Sequence, residues 1–153
     1  MTSTTAALTT QVYSVFIRAT PEQIWEAITT PEFTARYFYG TEINVVPEAG
    51  TPYQAFAAGS EQLLVDGEVL EADPPTRLVH SWRALFDDEM AQEQLSRVTW
   101  EIEAREGGYS RLTVVHDQLE GAPKTADSVS SDGWTFVLSG LKTLLETGNP
   151  LVG

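Results

Sequence analysis

The hydrophobic period along the chain changes several times, and each change predicts an element. Val12 to Arg18, VYSVFIR, is rich in β-branched and aromatic side chains and predicts a strand. Directly after it, Thr20 suits a helix N-cap, Pro21 the first helical position and Gln23 the reciprocal place of a capping box. The helix carries Ile24, Trp25, Ala27 and Ile28 and must stop at Thr30, because a residue before proline avoids the α conformation. Pro31 opens a second short helix, Glu32 to about Tyr37, by the same first-position logic.

Beyond Gly40 the texture is that of strands. Thr41 to Val46, Tyr53 to Ala57, Gln62 to Ala72 and Arg77 to Arg83 are separated by Pro47-Glu48-Ala49-Gly50, Ala58-Gly59-Ser60 and Asp73-Pro74-Pro75. Four strands in series with short links predict an antiparallel meander. The acidic stretch Asp87 to Gln94 predicts a solvated loop. Ser96 to Arg105 and Ser110 to Leu119 are two further strands, joined at Glu106-Gly107-Gly108-Tyr109, whose paired glycines supply the positive φ angles of a tight hairpin. Gly121 to Lys124 reads as a linker. A last helix is expected from Ala126 or Asp127 to Thr147, with Trp134, Val137, Leu138, Leu141, Leu144 and Leu145 recurring at three- and four-residue steps and Gly148 as the cap. Gly133 is placed to kink that helix or break it in two.

Strands in a run, with helices segregated from them, predict an α+β fold rather than a parallel α/β sheet. The expectation is one domain over residues 1–153, with residues 1–10 as a flexible N-terminus. A seven-stranded antiparallel sheet that is wet on one face must bury the other, and the long C-terminal helix is the element large enough to cover it.

Composition narrows the function. Nine Lys and Arg against 22 Asp and Glu give a net charge of −13, which repels a phosphate backbone, so nucleic acid is not an expected partner. The chain has no cysteine, which excludes disulfides, thiolate catalysis and cysteine metal sites. The start MTSTTAALTTQV lacks the basic and apolar regions of a signal peptide, and no stretch is apolar enough for a membrane span, so the cytoplasm is the expected location.

Several blocks go beyond generic patterning. Val15 to Thr29, Gly67-Glu68-Val69-Leu70-Glu71 with Asp73-Pro74-Pro75-Thr76-Arg77-Leu78, Ser81-Trp82, Val98-Thr99-Trp100-Glu101-Ile102, Leu112 to Asp117, and Gly133-Trp134 with Leu138-Ser139-Gly140-Leu141-Lys142 resemble the activator of heat-shock-protein-90 ATPase homologue family. That family belongs to the START-like, or SRPBCC, superfamily. The resemblance covers nearly the whole chain and implies a helix-grip fold with a hydrophobic cavity between a curved sheet and the C-terminal helix. Related members include lipid carriers, aromatic polyketide cyclases, plant hormone receptors and co-chaperone domains. No catalytic residue carries over with it.

The residues themselves offer candidates for the cavity. Leu78, His80 and Trp82 share one strand face, as do Leu112, Val114 and His116, and both are the more apolar faces, so both histidines are expected to point inward. Such a histidine can anchor a ligand oxygen or act as a general base; it can equally bond a neighbouring backbone group. No His-x-His or His-Glu-x-x-His spacing exists, so no metal site is expected, and no cofactor. Trp25, Tyr37, Tyr39, Tyr53, Phe56, Trp82, Trp100, Trp134 and Leu138 complete the candidate set. Tyr37, Phe38 and Tyr39 are contiguous and cannot all face inward, which leaves at least one exposed or gating. Outward strand arginines are expected to pair with Glu101 or Glu103. The function expected from these residues and the resemblance is binding of an apolar or aromatic small molecule, as monomer or homodimer. The alternatives are a polyketide cyclase or aromatase type of enzyme, with a histidine or tyrosine moving protons, and a co-chaperone-like module with a protein partner.

Overall fold

A computed structural model of the chain describes residues 8–152. The expected N-terminal tail falls mostly outside the described residues; of it, residues 8–10 are described and are exposed. In chain order the elements are β1 (Gln11–Ile17), α1 (Pro21–Thr29), α2 (Pro31–Tyr37), β2 (Thr41–Val45), β3 (Pro52–Ala57), β4 (Leu63–Asp73), β5 (Arg77–Ala84), α3 (Asp88–Ala91), β6 (Ser96–Arg105), β7 (Tyr109–Asp117), α4 (Pro123–Ser128), a π-helical turn (Val129–Gly133) and α5 (Trp134–Thr147).

The strand-to-helix switch at the N-terminus follows from side-chain chemistry. Gln23 N–H donates to Thr20 Oγ1 at 3.1 Å, and Thr20 N–H donates to Gln23 Oε1 at 2.8 Å, which completes the capping box. Two prolines then set the helix starts at Pro21 and Pro31. Thr34, fully buried on α2, donates its hydroxyl to the Thr41 carbonyl and accepts from Ile43 N–H, both at 3.0 Å, so α2 is tied to the first residues of β2.

The seven strands form one antiparallel sheet in the order β1-β7-β6-β5-β4-β3-β2. β2 to β7 run as one continuous meander, and β1 closes onto β7, so β1 and β2 are the edges. Register shifts at Ala55/Phe56 and at Val69/Glu71 bend the sheet. The concave face takes α5 and α1, and the core lies there, built around Ile17, Ile24, Leu78, Trp100, Leu112 and Leu141. The wet face carries ion pairs: Arg77 to Glu101 and Arg105 to Glu103 as expected, and also Arg83 to Asp66 and Arg97 to Asp117. The exposed pairs among them, Arg77 to Glu101 and Arg105 to Glu103, contribute little to stability.

Three expectations require correction. The acidic stretch Asp87 to Gln94 contains α3: Asp87 Oδ1 accepts from the N–H groups of Glu89 and Met90 at 3.0 Å each, and buried Met90 anchors the turn in the core. The linker Gly121 to Lys124 and the single last helix become α4, a π-helical turn and α5, with the first turn beginning at Pro123. Glu93 drives this, because its carboxylate accepts from the backbone N–H groups of Lys124 (2.7 Å) and Thr125 (3.0 Å) and so caps α4. Finally, the last strand ends at Asp117 rather than Leu119, since Gln118 adopts a left-handed φ of 59° that breaks the ladder.

Candidate functional site

The π-helical turn widens the backbone where α4 meets α5, and that junction faces the half of the sheet made by β2 to β5. Between them lies a cavity of about 500 Å³. Its sheet wall is made of Ile43, Tyr53, Ala55, Val65 and Trp82, which alternate with outward residues along four strands. Its helical wall is Val129, Trp134 and Val137. Phe38, Tyr39, Leu64, Phe86, Ser128, Ser131, Asp132 and Gly133 line the rest, with Tyr39 and Phe86 more than half exposed.

The aromatic residues deeper in the core are held by a hydrogen-bonded relay. Trp100 Nε1–H donates to His80 Nε2 at 3.0 Å, and His80 Nδ1 lies 2.9 Å from the Ser81 carbonyl. A carbonyl only accepts, so His80 carries its proton on Nδ1 and is neutral. Trp134 Nε1–H donates to His116 Nδ1 at 3.0 Å, which places the proton of His116 on Nε2, 2.7 Å from Ser96 Oγ. The Ser96 hydroxyl in turn donates to the Trp82 carbonyl. Burial agrees with these neutral forms: it pushes His80 down to about 3 and His116 down to about 4.

Tyr53 brings to the cavity a buried hydroxyl that lies outside that relay. Tyr53 is 1% exposed, and its ring stacks on His80 with centroids 3.6 Å apart and planes 9° from parallel. Among the described residues its hydroxyl has no hydrogen-bond partner, yet no sealed side-chain nitrogen or oxygen lacks one, so the Tyr53 hydroxyl opens onto the cavity it lines. Burial raises its ionisation well above the ordinary tyrosine value, and it stays a hydrogen-bond donor. The Thr41 hydroxyl, also in the wall, is already given to the Phe38 carbonyl at 2.6 Å.

Of the candidates read from the sequence, Tyr39, Tyr53, Trp82 and Trp134 line the cavity. His80, His116 and Trp100 point inward as expected but stand behind the wall, with every ring nitrogen engaged. Tyr37 is buried and donates its hydroxyl to the Ala27 carbonyl at 2.8 Å, and Leu138 is buried in the core. Trp25 is half-buried on α1 against the core, and Phe56 lies on the opposite side of β3 from Tyr53 and Ala55. Tyr39 is the exposed member of the Tyr37-Phe38-Tyr39 run: its φ is 53°, and its ring stacks on Phe136 with centroids 5.1 Å apart. Ala55, Ile43 and Val65 were legible as alternating strand positions. Of the Ser128 to Gly133 rim, Gly133 carried a sequence signal as the expected kink or break, and the helix does break there into a π-helical turn and α5; the rest of the rim reads as plain helix.

The charge around the cavity is one-sided. Among the described residues that line it, Asp132 is the one with a formal charge, and no Lys, Arg or His is present. The described residues hold no cluster of His, Cys, Asp and Glu fit for a metal ion and no helix long and apolar enough to cross a membrane.

Comparison with solved structures gives a consistent picture of the architecture. Protein MLL2253 from Mesorhizobium loti matches with a TM-score of 0.72 and 23% identity over 90% of this chain and 96% of its own. PFC0360w, an HSP90 activator from Plasmodium falciparum, matches with a TM-score of 0.71 and 19% identity over 93% of this chain and 98% of its own. DynU16, a protein in the dynemicin biosynthetic locus, matches with a TM-score of 0.73 and 24% identity over 93% of this chain but 49% of its own. At these identities the likeness is one of fold. No curated protein matches the chain. The family described as Activator of Hsp90 ATPase homolog 1-like protein matches over residues 18–146, from the end of β1 to the last turn of α5, and the chain belongs to that family.

Proposed function

We propose that this domain binds an apolar or aromatic small molecule in the cavity between sheet and C-terminal helix. The observation that carries the reading is a space of about 500 Å³ between sheet and helix, walled mainly by aliphatic and aromatic side chains and reached by the buried Tyr53 hydroxyl, which has no partner among the described residues. Small-molecule sites are typically concave, mostly apolar and of ~300–1,000 Å³, with a few placed polar groups. The likeness to DynU16, from a biosynthetic locus, is compatible with such a role. Native mass spectrometry of the purified protein and a thermal-shift screen of fatty acids, sterols and polycyclic aromatics test it. A bound apolar species or a rise in melting temperature is expected; neither with any compound would dismiss the proposal.

A cyclase-like activity has weaker support. The single acceptor nitrogen of each neutral histidine is occupied by an indole N–H, so neither ring has a site to take a proton from a guest. The co-chaperone-like alternative rests on likeness of fold to the Plasmodium activator.

A further inference from the structure

The walls of the cavity also say which guests fit. Tyr53 is held in place from behind: its ring lies flat on His80, and His80 cannot turn because Trp100 and the Ser81 carbonyl engage both of its nitrogens. The hydroxyl is therefore a fixed donor that ionises only far above neutral pH, and it faces the cavity without a partner among the described residues. A buried donor of this kind is costly while unpaired and favours a guest that supplies an acceptor. At the rim stands Asp132, exposed and with no cation among the lining residues to offset it, in a chain of net charge −13. A carboxylate entering would lose its hydration and meet a negative mouth with no counter-charge inside.

Resting on the small-molecule reading above, we infer that the cavity selects an uncharged aromatic guest whose carbonyl or ether oxygen accepts from the Tyr53 hydroxyl, and that it refuses anionic amphiphiles such as fatty acids. Tyr53 is the specificity-determining residue and Asp132 the charge filter.

Three probes of matched shape test this: naphthyl methyl ketone, ethylnaphthalene and naphthoate, titrated at neutral pH and followed by quenching of tryptophan fluorescence, since Trp82 and Trp134 line the cavity. The ketone should bind about five- to tenfold tighter than ethylnaphthalene, the worth of one net hydrogen bond. In Tyr53→Phe that preference should vanish while ethylnaphthalene binds as before. Naphthoate should bind at least about a hundredfold more weakly than the ketone, as expected for a desolvated, unpaired charge. Asp132→Lys, a change at an exposed position, should narrow that gap. A ketone preference that survives in Tyr53→Phe, or naphthoate binding as tight as the ketone, overturns the inference. Equal binding of all three probes refutes the selection rule and leaves the cavity reading standing, and failure of all three to bind likewise overturns the selection rule, the cavity reading then being decided by the wider screen above.

Discussion

Trp134, the first residue of α5, donates its indole N–H to His116 Nδ1 on β7 at 3.0 Å, and this bond joins the C-terminal helix to the sheet at the inner end of the cavity. The same indole packs edge-on against Trp100, with centroids 5.4 Å apart, and also lines the cavity. One side chain thus closes the helix onto the sheet and shapes the space left between them.

Trp134→Phe should therefore be costly even though it keeps an aromatic ring. It leaves His116 Nδ1 buried without its donor and opens space where the larger indole packed. An unsatisfied buried acceptor costs about 1–3 kcal/mol, and lost packing adds to it, so a loss of about 2–4 kcal/mol is expected. Urea denaturation measures it; a loss below about 1 kcal/mol would mean the bond does not hold the helix.

Acid should destabilise the fold through the two histidines. Both are kept neutral in the folded protein, down to about 3 for His80 and about 4 for His116, while the unfolded chain protonates them near 6.5. Below about pH 6.5 the unfolded state binds more protons, so the stability is fully present above that pH and is lost as pH falls through about 4 for His116 and about 3 for His80. Each histidine contributes a slope of at most about 1.4 kcal/mol per pH unit. Urea midpoints taken across that window should fall, and His116→Gln, though less stable at neutral pH, should fall less steeply because one titrating group is gone. Parallel slopes for the two proteins would refute the assignment.

Gly67 should not tolerate a side chain. A Cβ there would lie inside the contact distance of the Ser81 carbonyl, a backbone atom of the neighbouring strand that has no freedom to move aside. Gly67→Ala should destabilise by about 2 kcal/mol or more, since β4 or β5 must shift. Gly133→Ala is the control: its nearest contact would be 3.4 Å, its φ of −49° is helical, and the change should be neutral or stabilising by up to about 1 kcal/mol. Thermal melts of the two variants should move in different directions or by clearly different amounts.

Filling the cavity should separate binding from folding. Ala55 is buried in its wall, so Ala55→Phe projects new volume into empty space rather than into packed neighbours. The variant should melt within a few degrees of the parent, or above it, and lose affinity for any apolar ligand by about tenfold or more. Retained affinity with an intact fold would place the ligand elsewhere.

Much of the architecture was legible along the chain. The capping box at Thr20 and Gln23, the prolines at 21 and 31, the glycine pair at 107 and 108 and the period-two strands are local signals, and each produces the element it predicts. The inward direction of His80 and His116 also follows from strand alternation alone. The acidic stretch misled because charge density says nothing about intramolecular partners: Asp87 caps α3, and Glu93 caps α4 from thirty-one residues away in sequence.

What the residues determined by themselves was the order of elements, their faces and the apolar character of the interior, because those depend on neighbours a few positions apart. What only the tertiary structure decided was which inward groups meet. His80 and Trp100 lie 20 residues apart, His116 and Trp134 lie 18 apart, and their pairing withdraws both histidines from any chemistry. Tyr53 is left as the free donor because no segment among the described residues brings it an acceptor. That outcome depends on how β3, β5 and the π-helical turn converge in space, and no local pattern encodes it.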